Sequence, residues 1–212
     1  MMAKQMALNF NSLWRSLLKV VANVIVVLLF ALLAFSCYRQ FRVTGSINWL
    51  GLLAVNALFV CLFIVRRDAT TISTSPALWV LAFSGSALAL LMRPVESDEF
   101  VVVGNGIQFL GIALIIVAAL SLRRSFGIVP ANRGIRREGL YRVVRHPLYC
   151  AELLTLIGFV IANPSTRNAL LWIGTAVLQF SRACAEEKFL SADPAYREYA
   201  SRVKYRLIPR LI

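Results

Sequence analysis

The chain has 212 residues, of which 59% are hydrophobic and 16% are charged. Soluble domains average about 45–50% apolar and about 25% charged residues, so this composition argues against a soluble protein and for a membrane protein. The formal net charge of +13 on so apolar a chain favours contact with anionic lipid headgroups, and no basic, aromatic-rich polar module supports nucleic-acid binding.

Residues 1–122 contain four apolar segments that predict four transmembrane helices. A helix needs about 20 apolar residues to cross the hydrocarbon core of a bilayer. The first segment is too long for the apolar region of a cleavable signal and lacks a small-residue cleavage site, so it predicts a retained helix. The four segments span residues 17–37, 47–65, 76–92 and 101–122.

Residues 123–212 form a second predicted region, which carries most of the ordered polar chemistry. A basic, glycine- and proline-containing loop leads into a fifth apolar segment at 147–162, and "NPSTRN" then breaks the chain. A sixth apolar segment at 169–181 is short and predicts a helical hairpin with the fifth. The fold class is therefore an all-α, polytopic transmembrane bundle of five or six membrane segments with a cytoplasmic C-terminal cofactor-binding region.

The distribution of charge predicts that the N-terminus and the C-terminal region face the cytoplasm. Seven arginines lie between residues 123 and 145 against the single acid Glu138, and cytoplasmic loops are rich in Arg and Lys. The arginines 39 and 42 disagree with this orientation but are outnumbered. Other charges support the predicted orientation. The predicted cytoplasmic side carries Lys4, Arg15, Lys19, Arg66 and Arg67, and the opposite side carries Glu96, Asp98 and Glu99.

The four cysteines lie at positions 37, 61, 150 and 184, with no CxxC pair among them. Structural zinc usually takes four Cys or His ligands at short spacings, and the chain has one histidine. We therefore expect no metal site, and we expect the cysteines to be small apolar side chains.

The segment "RVVRHPLYCAE" at residues 142–152 contains the only histidine, His146, directly before Pro147. Proline favours the first turn of a helix and moves the preceding residue out of helical geometry. His146 is thus predicted at a helix N-terminus, where free backbone N–H groups favour anions. The alternative is a capped helix start with a snorkelling arginine and the interfacial Tyr149.

The segment "RACAEE" at residues 182–187 follows the sixth apolar stretch. Arg182 and Glu186 are four residues apart and share a helix face, with Glu187 on the neighbouring face. One interpretation is an intrahelical ion pair of a few tenths of a kcal/mol. The other is functional, because charges near a membrane boundary tend to face a cavity or a partner.

Together, "GLYRVVRHPLYCAELL", a short hairpin, "EEKFL" and "PAYREYASRVKYRLIPRLI" resemble the isoprenylcysteine carboxyl methyltransferase and phospholipid methyltransferase group of membrane enzymes. The match covers residues 123–212, and the combination of GxYxxxRHPxY with a downstream RxxxEE is what makes it specific. The first four helices match only in being apolar. The resemblance implies S-adenosylmethionine as cofactor, in a cytoplasm-facing pocket closed by the C-terminal segment.

Carried over residue by residue, the resemblance implies Arg182 and Glu186 as catalytic residues, with Arg182 and Glu152 binding the methyl acceptor. The implied cofactor site is formed by Arg133, Gly134, Ile135, Arg136, Tyr141, His146, Pro147, Leu148, Tyr149, Glu186 and Glu187.

The acceptor implied by the resemblance is a lipophilic molecule, with the carboxylate of a prenylcysteine-like compound preferred. A carboxylate acceptor needs no general base at neutral pH, and the guanidinium of Arg182 could hold it with two donors. An amine acceptor would need a base, for which Glu186, Glu187 or His146 are candidates.

Three alternatives follow from the same residues. The first is a phospholipid amine N-methyltransferase. The second is an NADPH-dependent, sterol-type membrane reductase, because such reductases have a similar C-terminal region; the acid pair Glu186 and Glu187 argues against it. The third is a non-enzymatic membrane scaffold whose basic loop binds anionic lipid. The sequence leaves the oligomeric state open.

Overall fold

The computed structural model describes residues 2–73, 75–95 and 100–211, and it describes side chains from residue 20 onward within these ranges, except at residue 86. The structure is mostly helical, with 73% of residues in helices. Two very short strands, β1 (Thr71–Ile72) and β2 (Ala131–Asn132), pair antiparallel. The α-helices are α1 (Met2–Thr44), α2 (Ile47–Val65), α3 (Pro76–Ala89), α4 (Val101–Leu122), α5 (Pro147–Ala162), α6 (Thr166–Leu190) and α7 (Pro194–Arg202).

Three segments in the described part of the chain are long and apolar enough to cross a membrane: Val20–Thr44, Ile47–Val65 and Val101–Ser125. Helices α3 and α5 are apolar but have 14 and 16 residues. At a rise of 1.5 Å per residue they are about 21 and 24 Å long, shorter than a hydrocarbon core of about 30 Å. The expectation of a membrane-spanning helical protein is thus supported, while the total of five or six segments stays a prediction.

Helices α2, α4, α5 and α6 run between two ends of the bundle, which the inter-helix hydrogen bonds define. At one end, the backbone N–H of Arg67 donates to the carbonyl of Arg124 at 2.8 Å, and β1 pairs with β2 next to it. At the other end, the Asn48 amide donates to Gln108 at 2.7 Å, and the N–H of Val95 donates to Asn163 at 3.1 Å.

The loops with Arg66 and Arg67 and with residues 123–145 therefore lie at the same end, as the charge pattern predicted. Asn23 of α1 donates to the carbonyl of Phe63 at 3.4 Å, which places the start of the apolar part of α1 at that end too. Which end faces the cytoplasm stays a prediction. The acids 96, 98 and 99 lie outside the described residues, as do the side chains of residues 4, 15 and 19.

Helices α4 and α5 approach closely because glycines line their contact. A Cβ atom on Gly104 would lie 2.4 Å from the backbone N of Ala162, and one on Gly158 would lie 2.4 Å from the backbone N of Gln108. The hydrophobic effect does not drive helices together within lipid. Small residues instead let membrane helices pack closely and gain van der Waals contact. This contact fixes the position of α5 along the axis of α4. It therefore also fixes where the His-Pro start of α5 lies.

An aromatic cluster anchors the first residues after α4. Phe126 lies between Phe59 and Phe63 of α2, with ring centroids 4.8 and 5.2 Å away. Phe30 of α1 completes the cluster, 5.2 Å from Phe59. Because Phe126 is only 3% exposed, the basic loop begins from a fixed point rather than from a free helix end.

The glycine contact can be tested with two glycines of the same helix. Gly104→Ala places its Cβ against the backbone of Ala162, whereas Gly106→Ala meets nothing within 4 Å. We expect the first substitution to lower the free energy of unfolding by about 1–3 kcal/mol, as overpacking does. The second should be neutral or slightly stabilising because alanine favours helix. Thermal unfolding in one detergent measures both, and equal midpoints for the two variants would contradict this account of the α4–α5 contact.

Candidate functional site

A cavity opens at the end of the bundle that carries the basic loop. Its empty space is about 730 Å³ when the open mouth is included. Its walls come from the loop after α4, the start of α5, the last turns of α6, and α7. Nine of the predicted cofactor residues line it: Arg133, Gly134, Ile135, Arg136, Tyr141, His146, Leu148, Tyr149 and Glu186.

The start of α5 has the geometry predicted from its sequence. His146 is the residue before the helix, with φ −126° and ψ 59°, and Pro147 begins the helix. The imidazole ring stacks on the ring of Tyr149, with centroids 5.3 Å apart and planes inclined by 5°. Both residues are buried, so two parallel rings form one wall of the cavity.

Glu187 lies behind that wall and connects three segments. One carboxylate oxygen is 3.2 Å from His146 Nε2 and 3.2 Å from Arg145 Nε, and the other accepts a hydrogen bond from Arg206 at 3.0 Å. Burial alone would raise the pKa of the Glu187 carboxyl, but the hydrogen bonds from His146 and Arg206 hold it below its ordinary value. Unlike Glu186, Glu187 does not line the cavity, and the same is true of Pro147.

The backbone of the C-terminal tail completes this contact. The N–H groups of Arg145 and His146 donate to the carbonyls of Tyr205 and Arg206 at 2.9 and 2.8 Å. The side chain of Leu207 packs with Tyr149 in a small buried cluster. The tail is therefore held against the start of α5 rather than lying free on a membrane surface.

A second polar group lies on the bundle side of Tyr149. The Tyr149 hydroxyl donates to Glu186 at 2.7 Å, and the guanidinium of Arg182 lies 4.8 Å from the centre of the same ring. Arg182 donates to the carbonyl of Ile128, and Gln179 donates to Glu152. Arg182 and Glu152, the predicted acceptor residues, do not line the cavity, but they lie next to its Tyr149 wall.

The basic loop forms the opposite wall. Arg133 lies beneath Gly127, where an added Cβ would come within 2.5 Å of its Nη1 atom. Burial and the nearby charge of Arg66 lower the pKa of Arg133 to about 10, and Glu186 acts in the opposite direction. Ser125 fixes the loop, accepting from Arg136 at 3.2 Å and donating to the carbonyl of Arg133 at 3.0 Å.

Helix α7 closes the cavity from the C-terminal side. Asp193 caps it by accepting from the N–H of Ala195 at 2.8 Å, and Pro194 is the first residue of the helix. The same carboxylate accepts from Asn132 of the loop at 2.6 Å, and the Tyr199 hydroxyl donates to the carbonyl of Tyr141 at 2.8 Å. The spacing of Tyr196, Tyr199 and Val203 along the sequence places them on one helix face, and all three are buried. It did not show that Tyr196 and Tyr199 line a cavity, because that depends on where the loop lies.

These features define a mostly helical protein with three helices that could cross a membrane and with a charged, aromatic-lined cavity at one end of its bundle. The chain belongs to the DUF1295 family, described as a protein family of unknown function, whose model matches residues 47–203. It is also similar to an uncharacterized protein of Schizosaccharomyces pombe, with 31% identity over 96 residues, 42% of this chain and 28% of the yeast protein. The matched segment thus spans less than a third of that relative.

Replacing the Glu187 carboxylate should loosen the tail. In Glu187→Gln, the charges of Arg145 and Arg206 lose their partner, and we expect a loss of about 2–3 kcal/mol in the free energy of unfolding. This is less than the roughly 3–5 kcal/mol of a fully buried pair because Arg206 is 39% exposed. Glu138→Gln, an exposed carboxylate in the same region, is the matched control. Thermal unfolding in detergent, with hydrogen exchange at 145 and 146, measures the loss.

The difference in stability between wild type and Glu187→Gln should depend on pH in a defined way. Because the folded pKa of Glu187 is below the ordinary value of 4.5, its contribution is complete above that value and is lost as pH falls through the lowered pKa. The stability difference between wild type and Glu187→Gln should therefore be constant near neutral pH and shrink only in acid. A difference that already shrinks between about pH 7 and 5 would contradict the assignment to this carboxylate.

Proposed function

We propose that this chain is an integral membrane methyltransferase that uses S-adenosylmethionine and acts on a lipophilic acceptor. The observation that carries the proposal is the charge arrangement of the cavity. A carboxylate, Glu186, lies on one wall and the half-buried guanidinium of Arg133 lies on the other, close enough to influence each other. Stacked aromatic rings line the space beside them.

S-adenosylmethionine fits this set of groups chemically. Its amino acid portion carries a carboxylate and an ammonium, its sulfonium is a second cation, and its ribose has two hydroxyls. Glu186 would attract the cationic groups or accept from the ribose, and the face of Tyr141, which also lines the cavity, favours cations. When bound, the cofactor supplies an electrophilic methyl group. The residues of this chain would align the two reactants and exclude water.

The acceptor would approach from the membrane side of Tyr149. Arg182 is 5% exposed and lies among apolar helices, where a charged side chain usually serves a ligand or a partner. Its guanidinium could hold an anionic acceptor group beside the cavity, and the apolar part of the acceptor would stay in contact with the helices. A lipid-soluble carboxylate is therefore the preferred acceptor, and a phospholipid amine is the alternative.

One observation favours a second candidate. Three arginines, at positions 133, 136 and 145, line the cavity, and the phosphate of NADPH would also suit them. Against NADPH, Arg136 and Arg145 already have partners in Ser125 and Glu187. Glu186 would in addition place a negative charge beside the dinucleotide. The reductase is thus the candidate that a binding experiment must separate.

Calorimetry on the full-length, detergent-purified protein separates the two cofactors. We expect micromolar binding of S-adenosylmethionine that falls by at least about tenfold in Glu186→Gln, because an ionic hydrogen bond contributes roughly 1.5–3 kcal/mol. Glu138→Gln is the control and should bind as wild type does. Binding of NADPH without binding of S-adenosylmethionine would move the protein to the reductases.

The acceptor assignment can be tested by the stability of the product. Membrane lipids incubated with the protein and methyl-labelled cofactor should yield a product that releases labelled methanol in base, because methyl esters hydrolyse and methylamines do not. Arg182→Lys keeps the charge but loses the two-donor fork. It should raise the acceptor KM by about tenfold and leave cofactor binding unchanged. Base-stable label would shift the assignment to an amine.

A further inference from the structure

Two buried side-chain atoms in the cavity walls have neither a hydrogen bond nor an ion-pair contact within the described part of the chain. They are the Nε atom of Arg133, on the loop, and the hydroxyl of Tyr196, on α7. Both atoms are buried and both residues line the cavity. An unpartnered buried polar group costs about 1–3 kcal/mol, so such atoms in the walls of a cavity indicate a ligand that would satisfy them.

Several neighbouring polar groups of these walls have partners, and Arg145 Nε lies 3.2 Å from the Glu187 carboxylate. Arg136 donates to Ser125, Tyr199 donates to the Tyr141 carbonyl, and Tyr149 donates to Glu186. Arg133 and Tyr196 therefore differ from these neighbours because each has a buried donor without a partner.

The two unpartnered atoms lie on segments that are tied together. Asn132, the residue before Arg133, donates to the Asp193 carboxylate at 2.6 Å. The backbone N–H of Tyr196 in turn donates to the carbonyl of Asp193 at 3.1 Å. One aspartate thus fixes both the loop that carries the guanidinium and the first turn of the helix that carries the phenol.

Both groups donate hydrogen bonds. Burial is the largest cause that raises the pKa of Tyr196 above its ordinary value, so its hydroxyl keeps its proton at neutral pH. Arg133 carries a positive charge that burial and Arg66 disfavour. A ligand that offers a negative charge and two acceptor oxygens would relieve this charge and satisfy both donors.

From these observations we infer that Arg133 and Tyr196 form an anion subsite that binds the α-carboxylate of the cofactor's amino acid portion. This inference rests on the proposed function. In S-adenosylmethionine the α-carboxylate and the α-ammonium are bonded to the same carbon. A cation subsite and an anion subsite must therefore be neighbours, and Glu186 and Arg133 are close enough to interact electrostatically.

The subsite adds a residue that the motifs in the sequence did not indicate. Tyr196 lies outside the His-Pro and Glu-Glu segments, on a helix that the bond between Asn132 and Asp193 brings to the cavity. It also gives the C-terminal helix a direct role in cofactor specificity, beyond covering the cavity.

The test compares S-adenosylmethionine with its decarboxylated analogue, which keeps the adenosine, sulfonium and ammonium groups. Wild-type protein should bind the carboxylate-bearing cofactor at least about tenfold more tightly. Arg133→Gln should remove most of this preference, and Tyr196→Phe, which deletes only the hydroxyl, should reduce it about threefold to tenfold. Calorimetry on full-length protein in detergent measures each affinity.

Matched controls lie outside the cavity lining. Arg142→Gln removes an exposed charge from the same region and Tyr205→Phe removes a hydroxyl from the same tail. Both should keep the wild-type preference. Thermal unfolding confirms that each variant is folded, and Arg133→Lys, which keeps the charge, should retain part of the preference.

The outcomes separate the subsite from the proposed function. Retention of the full preference in Arg133→Gln and Tyr196→Phe, or equal affinity of wild type for the two ligands, would overturn the subsite and leave the methyltransferase standing. A wild-type protein that binds neither ligand, but binds NADPH more tightly than NADH, would overturn both, and the guanidinium would then belong to a phosphate site.

Discussion

The carboxylate of Glu187 is the contact on which the organisation of the cavity depends. It joins the start of α5 through His146 and Arg145, and it joins the C-terminal tail through Arg206. Without this anion, two guanidinium groups would repel one another next to a buried ring. The backbone bonds from residues 145 and 146 to the tail would then have little to keep them formed. The adjacent Glu186 projects to a different side of the same helix and lines the cavity. The two neighbouring acids therefore have different roles.

The rigid helices supply the frame for this contact. The glycines of α4 and α5 bring the two helices together, and Phe126 secures the loop after α4 between aromatic rings of α2. The loop is therefore held at its start by apolar packing and near its middle by the bond of Asn132 to Asp193. A cavity with charged walls needs such support, because each polar group that points into it is not available for interactions that stabilise the fold.

The proposed chemistry places the two reactants on opposite sides of Tyr149. The cavity with Glu186 and Arg133 would hold the polar cofactor, and the buried Arg182 would hold the polar group of an acceptor that arrives from the lipid. Tyr149 contacts both regions, through its bond to Glu186 and through the guanidinium stacked on its ring. This arrangement would let a water-soluble donor and a lipid-soluble acceptor meet without either entering the solvent of the other.

The sequence by itself determined the helical, membrane-associated character of the chain, because apolar segments of this length and the proline and aspartate at helix starts act locally. It also indicated half of the residues that line the cavity, through the resemblance of the basic loop and of the segments around His146 and Glu186. Only the tertiary structure decided that Glu187 faces the tail and that Arg182 and Glu152 lie behind Tyr149. Nor could the sequence show that Tyr196 reaches the cavity. Those positions depend on the rotation of α6 and on contacts between residues far apart in the chain, such as that of Asn132 with Asp193, and the spacing of residues along one helix contains no information about them.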